Sequence, residues 1–157
     1  MKALNVILLA TLVSVLLTGC VTQEITRKAD WEADFYDIHF VNHRYGWIVG
    51  DNGLIVHTKD GGQTWRQQET AIEGDFNAVY FANEKKGWAV GFEGLIARTD
   101  DGGAHWQIQK SGTSANLNNV YFANSQVGWI VGEDADVLYT KNGGQSWNRY
   151  EYVSEFP

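Results

Sequence analysis

Three side chains with acceptor oxygens, Asp60, Asp101 and Asn142, recur at one phase of the chain in the stretches TKDGGQTW, TDDGGAHW and TKNGGQSW. Oxygen-rich glycine turns of this kind suggest calcium, but each turn offers one carboxylate or one amide with a Lys or Asp beside it. That falls well short of the roughly six to eight oxygens a calcium ion takes. The histidines point away from a metal as well. His39 stands where Tyr80 and Tyr121 stand, His57 where Arg98 and Tyr139 stand, and His105 where Thr64 and Ser146 stand, unlike substitutions at structural positions. Cys20 is the single cysteine of the chain, so a disulfide within it is impossible. No metal and no cofactor are expected.

A structural role for these turns follows from their residue types. Paired glycines can take positive φ, and the carboxylate of Asp60 or Asp101, or the amide oxygen of Asn142, can accept backbone N–H groups of its own turn. The expected staple comprises Thr58, Asp60, Gly62 and Trp65, then Thr99, Asp101, Gly103 and Trp106, then Thr140, Asn142, Gly144 and Trp147. In it the tryptophan lies over the sheet, and the hydroxyl of Thr64 or Ser146 bonds locally. His105 replaces that hydroxyl in the second unit.

The elements that carry the turns repeat with a period of 41 residues, without insertion or deletion. Phe40, Phe81 and Phe122 correspond, as do Gly46-Trp47, Gly87-Trp88 and Gly128-Trp129, and Val49, Val90 and Val131. Such a period, with Gly and Trp at fixed offsets, belongs to an array of small β units that must stack on one another to bury their faces. Within the first unit the strands expected are Phe35–Val41, Gly46–Gly50, Leu54–Thr58 and Thr64–Glu69, rich in aromatic and β-branched residues and separated by Asn, Asp and Gly. The connections are too short for crossover helices, so each unit is an antiparallel four-stranded meander. The fold class expected is all-β, a β-propeller-type array of three such blades, with repeats at about 34–74, 75–115 and 116–156.

The amino terminus reads as an export signal. Lys2 precedes an apolar run from Val6 to Leu17 and then Thr18-Gly19-Cys20, a charged start and an apolar middle shorter than the ~20 residues of a membrane span. Leu17-Thr18-Gly19-Cys20 resembles the bacterial lipobox, which implies removal of residues 1–19 and acylation of Cys20, with 20–33 as a tether. The next residue, Val21, implies the outer membrane by the same resemblance, or the lumenal side of a thylakoid or plasma membrane in a photosynthetic host. The net charge of −7 becomes more negative once Lys2 is gone. No basic stripe is present to neutralise phosphates, so nucleic acid is not an expected partner.

The motif T-x-[DN]-G-G-x-x-W resembles the Asp-box, or BNR repeat. Its combination with VYFAN, GWAVG and GLI resembles the photosystem II assembly and stability factor propellers, over about residues 34–153. The resemblance implies a non-catalytic propeller that binds protein, as an assembly chaperone or docking platform for membrane subunits. Three units are fewer than the about four to eight blades with which propellers close. Association of two chains into a shared six-blade ring, a homodimer, or a partner protein over the open side is therefore expected. In the third unit GEDADVL puts Ala135 and Asp136 where Gly53 and Gly94, and Leu54 and Leu95, stand.

The competing class is a sialidase-like carbohydrate-binding protein or glycoside hydrolase, because sialidases also carry Asp-boxes. That chemistry uses several arginines on a substrate carboxylate, a Tyr nucleophile paired with Glu, and an Asp acid. Arg27, Arg44, Arg66, Arg98 and Arg149 fall at different repeat phases and do not converge, so no catalytic residue is assigned. In a meander blade the turns between strands two and three share a face with the links between blades. Asp51, Asn52, Phe92, Glu93, Glu133 and Asp134, with Asp136 just beyond, vary there on a recurring framework and are the candidate partner-binding residues. With Glu73 and Asp75 this face is acidic and suits a basic peptide or loop. Phe92 is its one large apolar anchor.

Overall fold

The structure is a computed structural model and describes residues 33–152. The expected leader, the expected tether up to residue 32 and the expected acylation site Cys20 lie outside the described residues. Twelve strands form three sheets. The first blade holds β1 (Phe35–Phe40), β2 (Gly46–Gly50), β3 (Ile55–Thr58) and β4 (Arg66–Gln67). The second holds β5 (Phe76–Phe81), β6 (Gly87–Gly91), β7 (Ile96–Thr99) and β8 (Gln107–Gln109). In the third, β9 (Leu117–Phe122), β10 (Gly128–Gly132), β11 (Val137–Thr140) and β12 (Asn148–Arg149) follow the same order. Every neighbouring pair is antiparallel, so each blade is a sequential meander.

The outer strands are shorter than the six residues Thr64–Glu69 suggest, because Thr64 and Trp65 are held in the turn. Asp60 Oδ1 accepts the Thr64 N–H at 2.8 Å, and the Trp65 ring meets Phe40 edge-on with centroids 5.9 Å apart. The equivalent Trp106–Phe81 and Trp147–Phe122 pairs repeat this contact at 5.9 and 5.8 Å.

Two apolar layers lie between the blades. Trp47, Val49, Ile55, Phe76, Val79, Phe81, Ala89 and Ala97 join the first to the second. Trp88, Val90, Ile96, Leu117, Val120, Phe122, Ile130 and Leu138 join the second to the third. Because side chains of a strand alternate between faces, the central strand β6 is buried at every position while β10 alternates, with Ile130 inside and Trp129 and Val131 exposed. The sequence GWxVG thus reads the same in all three blades, and its burial is set by which face a neighbour covers: Trp47 and Val49 of the first blade lie against the second, while Trp129 and Val131 of the third are uncovered.

Candidate functional site

The Asp-box turns close as the sequence suggests. In the second blade Thr99 Oγ1 donates to Asp101 Oδ1 at 2.9 Å and accepts the Gly103 N–H at 2.9 Å, while Asp101 Oδ1 accepts the His105 N–H at 2.9 Å. Thr58 with Asp60, Gly62 and Thr64, and Thr140 with Asn142, Gly144 and Ser146, repeat the pattern. The fourth contact differs by blade. Thr64 Oγ1 donates to Asp60 Oδ2, His105 Nδ1 sits 2.7 Å from Asp101 Oδ2, and Asn142 Nδ2 donates to Ser146 Oγ at 2.9 Å.

These bonds set the charge of the turns. Donation from the Thr64 hydroxyl and N–H holds the Asp60 carboxyl at about 2. Burial pushes Asp101 up, but the His105 and Thr99 donors outweigh it and bring it to about 2 as well. All these oxygens serve their own turn. Among the described residues no group of three His, Cys, Asp or Glu is placed to hold a metal ion. His39 and His43 are four positions apart, yet His39 Nε2 lies 3.0 Å from the Phe81 carbonyl, in the joint between blades.

The sequence candidates for partner contact lie on the turns between second and third strands. Each turn needs two successive left-handed residues: Asn52 and Gly53, Glu93 and Gly94, Asp134 and Ala135. The glycines are required by the links that cross behind them. A Cβ on Gly53 would stand 2.0 Å from the Ile72 carbonyl oxygen, and one on Gly94 2.2 Å from that of Thr113. The links are bonded to the turns through Gly53 N–H to Gly74 O at 2.7 Å and Asn52 N–H to Asp75 Oδ1 at 2.8 Å. In the second blade Phe92 N–H donates to Asp75 O at 3.0 Å and Glu93 N–H to Asn116 Oδ1 at 3.1 Å.

Between the links preceding and following the second blade lies an open cavity of about 760 Å³. Phe92, Leu95 and Ile108 supply its apolar wall, and Glu73, Asp75 and Glu93 outnumber Lys110 on its rim. An apolar floor with an excess of carboxylates suits an apolar side chain flanked by cations. Of the sequence candidates, Phe92 and Glu93 line this cavity, while exposed Asn52, Glu133 and Asp134 sit on the same face outside it.

Asp51 is half-buried and engaged. It accepts the Asp34 N–H at 3.0 Å and the Tyr36 phenol. That phenol bond lowers the Asp51 carboxyl and, with further carboxylates nearby, pushes Tyr36 up to about 12. Asp136 corrects the sequence expectation. It is buried, accepts the Thr113 hydroxyl and pairs with Arg149. A carboxylate replacing the buried Leu54 of the first blade has to find such partners, and it is therefore not a surface contact. Ile108, which the sequence reading did not single out, corresponds to Gln67 and Arg149. An apolar residue at an otherwise polar phase is the signal that marks it.

Among the described residues, three of the arginines are engaged separately. Arg98 pairs with Asp100 at 2.7 Å, Arg149 with Asp136, and Arg44 lies over the Tyr45 ring.

Three stacked four-stranded meanders, each closed by an Asp-box and presenting its turns on one face, define a BNR-type β-propeller protein. Residues 22–80 and 72–157 match the family described as photosynthesis system II assembly factor YCF48, and the chain belongs to that family. Among curated relatives, the photosystem II assembly lipoprotein Ycf48 of Synechococcus sp. (strain RCC307) is 36% identical over 62 residues, 34% of this chain and 19% of the relative. That of Parasynechococcus marenigrum (strain WH8102) is 36% identical over 76 residues, 43% and 22% respectively. The matches thus take in about a fifth of each relative's length. The solved structure of YCF48 bound to D1 peptide superposes with a TM-score of 0.67 at 26% identity, over 77% of this chain and 42% of the other. YCF48 from Cyanidioschyzon merolae gives 0.65 at 26% identity, over 75% and 40%. A GH74 enzyme of Niastella koreensis, at 13% identity and 0.62 over 74% of this chain and 22% of its own, shares the fold alone.

Proposed function

We propose that the chain is a non-catalytic, membrane-anchored scaffold that docks an extended segment of a protein partner in the cavity beside Phe92, in an assembly or docking role. The observation that carries this is the apolar wall of Phe92, Leu95 and Ile108 beneath the rim of Glu73, Asp75 and Glu93. It selects an apolar anchor next to Lys or Arg. The YCF48 neighbour that holds a D1 peptide supports a peptide ligand, and the relatives' names support an assembly role. Anchoring through Cys20 follows the lipobox reading and is supported by relatives named as lipoproteins. Those names carry the lipid and not the outer membrane. Among the described residues no helix is long and apolar enough to cross a membrane. We take the working unit to be a homodimer. A glycosidase role is disfavoured because Arg98 and Arg149 are engaged in separate ion pairs.

The test is titration of the lipid-free mature chain with a D1 peptide and with apolar peptides flanked by lysine or by glutamate, followed by amide chemical shifts. The lysine-flanked peptides are expected to move the signals of residues 92–95 and 108–113 and to lose affinity on Phe92→Ala or Ile108→Ala. Shifts confined to another face, no preference for the basic peptides, or turnover of a sialoside or other glycan in a parallel panel would overturn the proposal.

A further inference from the structure

The two joints between blades are made by one set of donors and one set of receivers. At the first joint the Trp47 indole stacks on Phe81 and donates to the Gly102 carbonyl at 3.2 Å, and His39 Nε2 approaches the Phe81 carbonyl at 3.0 Å. Gln68 reaches across to the same turn, giving its amide N–H to the Gly102 carbonyl at 2.8 Å and accepting the Trp106 indole N–H at 3.2 Å. At the second joint Trp88 stacks on Phe122, the Tyr80 hydroxyl donates to the Phe122 carbonyl at 2.9 Å, and Gln109 accepts from Trp147 at 3.2 Å, while the Trp88 indole N–H has no partner among the described residues, so the indole bond of the first joint is not repeated here.

One period further, Trp129, Tyr121 and Tyr150 occupy the donor positions of the third blade, all exposed. The receiving positions of the first blade, Ile38, Phe40 and the Gly61–Gly62 turn, are uncovered in the same way. Trp129 is 39% exposed where Trp47 and Trp88 are 0%, and Phe40 is 39% exposed where Phe81 and Phe122 are 2%. Gly61 is exposed and Gly62 half-buried, whereas their four counterparts at residues 102, 103, 143 and 144 are buried. Over the third blade, Trp129, Tyr139, Asn148 and Tyr150 line a hollow of about 750 Å³. It lies where, at the first joint, the next blade's Asp-box turn sits.

We propose that this hollow receives the first blade of a second copy of the chain, head to tail, so that two copies close a six-blade ring with two equivalent seams. The inference rests on the homodimer put forward above and specifies its surface. The occupant is a second copy because the receiving set is written on this chain. The Trp129 indole meets the ring of Phe40 and donates to the Gly61 carbonyl, the Tyr121 hydroxyl donates to the Phe40 carbonyl, and the Tyr150 hydroxyl accepts the Trp65 indole N–H. Val131 and Ile38 add apolar area on opposite sides of the seam. A head-to-tail contact between identical chains yields a closed ring when its rotation closes, and six blades fall within the range of about four to eight in which propellers close.

The test is light scattering of the mature chain, with Cys20→Ser to remove the lipid, across a dilution series. Two exposed substitutions each spoil one side of the seam: Trp129→Ser and Ile38→Lys. The wild type is expected at the mass of two chains in the low micromolar range, and each variant at the mass of one, with an unchanged far-ultraviolet circular dichroism spectrum. Mixing the two variants is expected to restore the mass of two chains, since the pair keeps one intact seam. A monomeric wild type would overturn both the seam and the homodimer and would leave residues 21–33, 153–157 or another protein as the cover. A dimer that survives both substitutions, or variants that fail to complement, would overturn the seam and leave self-association standing.

Discussion

The indole of Trp47 lies flat on the ring of Phe81, with centroids 3.5 Å apart and planes 8° from parallel, and Trp88 meets Phe122 in the same way at 3.7 Å and 21°. The Gly-Trp step of one blade is thus the contact that seats the next. Both tryptophans are fully buried, and truncating such a residue costs about 3–5 kcal/mol. Trp88→Ala is expected to lower stability to urea by that order. Under conditions where the chain is monomeric, Trp129→Ala, on the open face, is expected to change it by less than about 1 kcal/mol. Equal losses in the two variants would remove the stack from its place as the joint.

The blades were legible in the sequence because turn and joint residues recur together at one period. Phe40, Trp47 and Trp65 and their counterparts mark a strand, a joint and a turn in every unit. The proposed binding face was less legible. The engagement of Asp51 by Tyr36 and the pairing of Asp136 with Arg149 join residues far apart in the chain. Periodicity compares equivalent positions, not neighbours across a blade. The sequence reading passed over Ile108, whose one signal is an apolar residue at a polar phase, and the cavity places it with Phe92.

Acid should weaken the fold in a defined window. Burial, and then the charge of Lys59, bring His57 down from 6.5 to about 4, and burial also lowers His39 despite its Phe81 carbonyl and Asp37. A histidine depressed in the folded state leaves the unfolded chain binding more protons between the two values, so stability is full above about 6.5 and falls as pH drops toward 4. Discounted for solvent screening, the His57 share is about 1–2 kcal/mol. Urea midpoints measured from pH 7 to 4 should fall, and His57→Tyr, the residue at the equivalent Tyr139, should flatten part of the slope. The residual slope belongs to His39, joined near pH 4 by the depressed carboxyls of Asp51, Asp60 and Asp101.

The turns on the proposed partner face carry removable strain. Ala135 holds φ +58°, a left-handed conformation that disfavours any side chain with a Cβ. Ala135→Gly is expected to stabilise by up to about 1 kcal/mol, the relief exceeding the added freedom of the unfolded chain. Gly94→Ala is expected to cost more than about 2 kcal/mol, because its Cβ would meet the Thr113 carbonyl as well as the φ of +74°. Opposite signs in chemical denaturation are the diagnostic result.

The threonine that opens each Asp-box should matter more than its small size suggests. Thr99 is buried, and its hydroxyl donates to Asp101 while accepting the N–H groups of Asp101 at 3.3 Å and Gly103 at 2.9 Å. Thr99→Val keeps the shape, yet it leaves the Gly103 N–H without that acceptor in a buried turn, a loss of about 1–3 kcal/mol. His105→Ala removes only an exposed partner of Asp101 and should cost less than about 0.5 kcal/mol. Hydrogen exchange at Gly103 separates the two. Protection there should drop in Thr99→Val and persist in His105→Ala, and the reverse order would mean that the Asp101 to His105 contact, not the threonine, closes the turn.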